Sequence, residues 1–208
     1  MALDVNQDYV WLGLTTGLSR FTKKTEKFKN FELPGGYTPE AGLGSSDSVA
    51  KDGLRRVFAD SILIDEKYIW YGSYNLFRST QNISKSKQFS CGGGLAASRV
   101  TSLDGNKNHI FVGTFRGISI INKKNLESKI YTERNGLKGK DMYGLVVDNN
   151  YLWIASEKGI SKLKLTTFQF NHHYFPYDFQ GECILSLAVD QKYIWIGTIF
   201  GLYRLKKF

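Results

Sequence analysis

Short runs of the chain alternate between two sides of an extended strand, and one such run keeps returning. In Tyr193-Ile194-Trp195-Ile196-Gly197-Thr198, alternation puts Tyr193, Trp195 and Gly197 on one face and Ile194, Ile196 and Thr198 on the other. Both faces are largely apolar, which predicts a strand covered on both sides. The same phrase opens at Tyr9, Tyr68, His109 and Tyr151, with anchor aromatics Trp11, Trp70, Phe111, Trp153 and Trp195. From Trp70 onward the anchors recur every 41 or 42 residues, a spacing that suits a four-stranded propeller blade.

Each repeat reads as four strands. A short apolar strand, such as Leu185–Val189, leads into a tight turn. Five residues before each anchor stands Asn6, Asp65, Asn106, Asp148 or Asp190, whose side chain can accept hydrogen bonds from the turn's backbone. The anchor strand follows, with a small residue two after the aromatic (Gly13, Gly72, Gly113, Ala155, Gly197) that lets a neighbouring blade approach. A hairpin then reaches Gly17, Gly117, Gly159 or Gly201, where a positive φ is expected; the second repeat offers Asn75 instead, as a left-handed residue. The third strand begins there, and a looser fourth runs through Phe28–Phe31, Lys129–Tyr131 and Phe168–Phe170.

The expected fold is all-β: a β-propeller of about five four-stranded blades in one domain over residues 1–208. Trp11 and Trp70 lie 59 apart because a long loop, about residues 33–56, expands the first connection. The chain starts inside a first strand and stops just after a third. The last blade is therefore three-stranded, or closed through the N-terminal region at the expanded loop, or part of a longer array.

Composition alters this little. Hydrophobic residues make up 42% and aromatics 14% of 208 residues, which is globular. No apolar run reaches membrane-spanning length, and no signal-peptide pattern opens the chain. Cys91 and Cys183 fall in different repeats and are expected as free, partly buried thiols. The net charge of +9 invites a nucleic-acid reading, but the basic residues recur at one place per repeat, as in Lys23-Lys24, Lys123-Lys124, Lys162 with Lys164, and Lys206-Lys207. That regularity reads as edge protection and solubility on outer strands, and it speaks against nucleic acid as a partner.

No motif for phosphate cradling, a metalloprotease helix, a nucleophile elbow or paired metal-binding cysteines is present, so no catalytic residue, metal ligand or cofactor is assigned. His172-His173 would face opposite sides of a strand, which makes joint chelation awkward. The candidate site is instead a loop face around a central channel. Hairpins between second and third strands would present Tyr74, Phe115, Arg116, Lys158 and Phe200 there. Connections from fourth to next first strand would add Arg55, Arg56, Arg99, Lys140 and Asp141. Aromatic faces can stack on sugar rings or grip a peptide, and arginines hold carboxylates or sulfates. An anionic oligosaccharide or an acidic protein segment fits that set; solvated loop tips are the bland alternative.

One set of residues carries a family resemblance. Asn135-Gly136-Leu137, then Asp148, then Tyr151-Leu152-Trp153-Ile154-Ala155 and Gly159-Ile160, resembles the repeat of two-component regulator propellers. Asp52-Gly53-Leu54, Gly94-Leu95 and the run from Trp195 to Arg204 match parts of the same pattern. The resemblance implies a propeller used for sensing or binding, in a periplasmic or extracellular place, sometimes for glycan fragments. The function expected from it is a non-enzymatic module that binds a small glycan-like ligand or a protein partner. A propeller-type lyase or glycan hydrolase is the alternative, as is a fragment of a larger sensor's extracellular input domain. Association with the rest of such a protein, or between copies, goes with that reading.

Overall fold

A computed structural model describes residues 2–14, 17–31, 59–174 and 184–208, and these are almost entirely β-strand. They form the blades of a β-propeller, each an antiparallel sheet with its strands side by side in chain order. The chain divides into two compact units, Met1–Phe89 and Ser90–Phe208.

The first unit holds two blades. Blade 1 is β1 (Ala2–Val5), β2 (Tyr9–Leu14), β3 (Gly17–Thr22) and β4 (Lys27–Phe31); blade 2 is β5 (Ser61–Ile64), β6 (Tyr68–Gly72), β7 (Leu76–Thr80) and β8 (Ser86–Phe89). The long loop expected at about 33–56 lies outside the described residues, Arg55 and Arg56 with it. The second unit holds three blades. Blade 3 is β9 (Val100–Gly105), β10 (His109–Thr114), β11 (Gly117–Asn122) and β12 (Ser128–Tyr131). Blade 4 is β13 (Met142–Asp148), β14 (Tyr151–Ser156), β15 (Gly159–Lys164) and β16 (Gln169–Tyr174). Blade 5 has three strands, β17 (Ile184–Val189), β18 (Tyr193–Thr198) and β19 (Gly201–Lys206).

One interface rule runs through both units. The anchor-aromatic face of a blade packs on the aliphatic face of the next. Trp11, Leu18 and Phe31 of blade 1 meet Ile62, Ile69, Tyr71 and Phe77 of blade 2. Phe111, Ile118 and Ile120 of blade 3 meet Leu145, Leu152, Ile154 and Leu163 of blade 4. Trp153, Ala155 and Ile160 of blade 4 meet Ile184, Ile194 and Ile196 of blade 5. Two of the small residues after the anchor serve this contact: a side chain at Gly13 would collide with the Ala59 backbone oxygen, and one at Gly113 would press on Met142. Aspartates add polar links between first strands. The Ile64 N–H donates to Asp4 Oδ2 at 2.6 Å, and the Val147 N–H donates to Asp104 Oδ2 at 2.6 Å.

The residue five before each anchor does more than hold a turn. Oδ1 of Asn6, Asp65, Asn106 and Asp190 accepts two backbone amides, as the Tyr9 and Asp8 N–H groups do to Asn6. Where the residue is Asp and the anchor is Trp, Oδ2 takes the indole: Trp70 Nε1 to Asp65 at 3.1 Å, Trp153 to Asp148 at 3.2 Å, Trp195 to Asp190 at 2.7 Å. Phe111 has no N–H to place, and its partner is Asn106. Blade 1 breaks the pairing, with Trp11 beside Asn6, and there the buried Trp11 Nε1 has no hydrogen-bond partner among the described residues.

Three expectations need correction. Asn75 is not left-handed; the four expected glycines are, from Gly117 at φ 127° to Gly201 at φ 144°. In blade 2 the Ser73 N–H bonds the Asn75 carbonyl within a shorter hairpin, which removes the need for that geometry. Cys91 is a free thiol but exposed, because it sits in a glycine-rich surface turn; Cys183 lies outside the described residues. The basic residues of the third strands are more than edge protection. Arg20, Arg78, Lys162 and Arg204 stand directly across from Trp11, Trp70, Trp153 and Trp195 and lie over the aromatic rings of their own blades, with Arg78 4.3 Å from the Tyr68 centroid. Each such stack contributes about 0.5–1 kcal/mol at an exposed site.

Beyond β19 the chain folds back on blade 4. Lys207 Nζ reaches Asp148 Oδ2 at 2.5 Å, and Phe208 meets Trp153 edge-on at 5.4 Å. Lys207, too, is therefore a packing residue.

Candidate ligand-binding loops

Hairpin tips and blade connections sit together in the second unit because of how each blade is entered. The connection that precedes a blade folds over that blade's own second hairpin. In blade 4 this fold is held tightly. Glu157 accepts the Lys140 N–H at 2.9 Å through Oε1 and the Asp141 N–H at 3.0 Å through Oε2. Ser156 Oγ donates to the Lys138 carbonyl at 3.0 Å. Lys158 Nζ pairs with Glu133 Oε1 at 2.6 Å, across from the 3₁₀ turn Glu133–Asn135. The hydrogen bond and charge of Lys158 hold the Glu133 carboxyl below the usual carboxylate range. Gly139, at φ 80°, passes so close to Ser156 and Glu157 that a side chain there would collide with both.

Glu157 is thus a clamp on the connection's backbone, with both carboxylate oxygens engaged. The clamp was not legible in the sequence, since it needs the connection and the hairpin seen together.

Blade 3 shows a looser version of the same arrangement. Arg99, just before β9, lies over the Phe115 ring at 5.4 Å. The hairpin is fixed from beneath: Thr114 Oγ1 donates to the Gly117 carbonyl at 2.9 Å and accepts the Arg116 N–H at 3.2 Å. Blade 5 repeats this with Thr198, Gly201 and the Phe200 N–H. Phe115 and Phe200 are exposed at these tips, Phe200 to 71%. Rigid turns therefore hold large aromatic rings in water. In the first unit Tyr74 occupies the same hairpin position of blade 2 and is also exposed. Of the expected site residues, the structure brings together Arg99 with Phe115, and Lys140 and Asp141 with the Lys158 hairpin; it places Arg116 and Phe200 at separate tips.

His172 lies beside the blade 4 connection, where the Gly136 backbone hydrogen-bonds it. Its Nδ1 lies 2.8 Å from Ser161 Oγ on the paired strands β15 and β16. Burial, and then the charge of Lys138, push its pKa down.

No family model matches the sequence, and no curated protein does. Solved structures do match. Two are extracellular domains assigned to hybrid two component systems of B. thetaiotaomicron, with TM-scores of 0.69 and 0.71 at 18% identity. They cover 98% and 99% of this chain, which spans 26% and 28% of theirs. The shared feature is the β-propeller fold. A third is PorZ of Porphyromonas gingivalis, a bacterial surface component of the type-IX secretion system, with a TM-score of 0.64 and 18% identity over 99% of this chain and 32% of that one. The chain thus spans about a quarter to a third of the length of these structures. The shared propeller fold fits the resemblance read from the repeat.

Proposed function

We propose that this β-propeller is a non-enzymatic sensing or interaction module that binds an anionic, glycan-like ligand or an acidic peptide at its hairpin tips. The observation that carries the reading is the pairing of exposed aromatic rings with cations on rigid turns, above all Arg99 over Phe115 with Arg116 beside it. A ring fixed in water pays little entropy on binding, and a stacked guanidinium keeps donors free for a carboxylate or sulfate. Lys140, Asp141 and Lys158 add a second polar tip, braced by Glu157. Phe200 offers a further ring, and Tyr74 the corresponding one in the first unit. Arg55 and Arg56 belong to the same proposal by sequence position. The extracellular sensor domains among the structural neighbours support a sensing role.

The test is an array of neutral and sulfated or uronic-acid oligosaccharides and of acidic peptides, probed with the wild-type chain and with Arg99→Ala/Phe115→Ala. The wild type should retain anionic glycans or peptides selectively, and the variant should lose at least about tenfold in affinity. Retention of neutral and anionic probes alike, or equal binding by the variant, overturns the reading.

A further inference from the structure

At the start of β10, the end of blade 3 away from Phe115, two turns close around a recess of about 400 Å³. Lys107, Asn108, His109, Asn122, Lys123 and Lys124 line it, so its lining holds three lysines and no carboxylate. Both turns are tightly built. Asn106 Oδ1 accepts the Asn108 and His109 N–H groups at 2.9 and 2.8 Å, and Asn122 Oδ1 accepts the Lys124 N–H at 2.8 Å. The Lys123 N–H donates to the Asn108 carbonyl at 2.8 Å and ties one turn to the other. Asn122 thus commits its oxygen to the backbone, and its side-chain NH2 remains as a donor.

The first of these turns holds an acid in every other blade. It reads Asn6-Gln7-Asp8, Asp65-Glu66-Lys67, Asp148-Asn149-Asn150 and Asp190-Gln191-Lys192, against Asn106-Lys107-Asn108 in blade 3. The anchor explains the difference. Phe111 has no indole N–H to satisfy, so its turn needs one acceptor oxygen and no carboxylate. Among the described residues no ion pair takes Lys107 or Lys124. Glu127, the acid of the second hairpin, accepts from Asn125 Nδ2 at 2.7 Å. Burial, and then the charge of Lys129, push the His109 pKa down, and the neutral ring keeps one N–H donor. A cleft lined by charge of one sign concentrates counter-ions.

We infer that this recess binds the phosphate group of a small phosphate monoester, with Lys107, Lys123 and Lys124 around the anion and Asn122 and His109 as neutral donors. A phosphate monoester carries about two negative charges at neutral pH, where a carboxylate carries one, so three lysines favour it. Lysine meets phosphate as a point charge and needs no fixed fork geometry. The recess is larger than a phosphate group alone and has room for the ring or chain that bears it. The site is independent of the aromatic hairpin tips, since Phe115 follows the far end of β10.

The test is an NMR titration of the isotope-labelled chain at low salt with phenyl phosphate, and with phenol and benzoate as controls. Phenyl phosphate should give saturable amide shifts at Lys107, Asn108, His109 and Asn122 to Lys124, phenol none, and benzoate much weaker ones. Lys107→Ala/Lys124→Ala should lose at least about tenfold in affinity. Asn106→Asp, which keeps the acceptor for the turn and restores the acid of the other blades, should weaken binding as well. Arg99→Ala/Phe115→Ala should bind phenyl phosphate like the wild type, which separates this site from the tips. No response, shifts spread over the lysines of every blade without saturation, or a response centred on Phe115 overturns the inference. So does benzoate binding as tightly as phenyl phosphate, or undiminished binding by Lys107→Ala/Lys124→Ala. Cosedimentation with phosphatidylglycerol vesicles, without a response to phenyl phosphate, would make the recess part of a lipid-facing surface and overturns it too.

Discussion

The residue five before each anchor separates two demands that look alike in sequence. Asn and Asp both accept the turn's backbone amides, so five copies seem interchangeable. Only a carboxylate has a second oxygen left for an indole N–H. That explains why Asp65, Asp148 and Asp190 accompany tryptophan and Asn106 accompanies Phe111. It also marks Trp11 as the misfit, with a buried Nε1 that no group meets among the described residues. Asn6→Asp should therefore raise stability by about 0.5–1.5 kcal/mol, the usual worth of one hydrogen bond. Urea unfolding of the variant measures it, and a midpoint unchanged or lowered would speak against the pairing. Asp148 gives a pH prediction. Burial pushes its carboxyl up, but hydrogen bonds from Lys207 and Trp153, with the Lys207 charge, together outweigh that and hold it below the usual range. A depressed carboxyl stabilises the fold above its unfolded pKa, near 3.9, and that contribution is lost as pH falls through the folded value. Asp148→Asn should flatten the fall in stability on the acid side, below about pH 5. An acid limb identical to the wild type's would show that the pair contributes nothing.

At the scale of the element, the blade is a unit whose strands are legible and whose contacts are not. The period of two located the second and third strands to within a residue, because second strands such as β6, β10 and β14 are apolar and buried on both faces and the hairpin residue that follows marks where each third strand starts. The outer strands were harder. β4, β8, β12 and β16 are half solvated, and their sequences carry only one or two anchoring aromatics such as Phe31 and Phe89. The stacking of Arg20, Arg78, Lys162 and Arg204 escaped the sequence because it depends on register, which a repeat phrase does not state. The anchor itself is structural. Trp153 is 2% exposed and touches blade 5 and Phe208, so Trp153→Ala should cost about 3–5 kcal/mol in chemical denaturation. The hairpin glycine is equally constrained at Gly117, which combines φ 127° with the Tyr131 carbonyl pressed against the place a side chain would take. Gly117→Ala should lower the unfolding midpoint clearly more than Gly92→Ala, where nothing lies within 4 Å; equal losses would contradict that account.

For the whole molecule, the proposed binding role falls where the repeat varies and the packing where it recurs. Positions that recur, the anchors, glycines and aliphatics, are consumed by packing between blades. Positions that vary, at hairpin tips and in connections, are what the packing leaves free. The sequence located these tips, because they fall between well-marked strands. It did not distinguish Glu157, committed to a backbone clamp, from Arg116 and Phe200, which project from braced turns. That division is the central claim, and one preparation tests it. Arg116→Ala/Phe115→Ala/Phe200→Ala, titrated against the anionic probe the wild type retains and unfolded in urea alongside it, should keep the wild-type unfolding midpoint and lose binding by at least about tenfold. A midpoint that collapses, or an affinity that is unchanged, would contradict it.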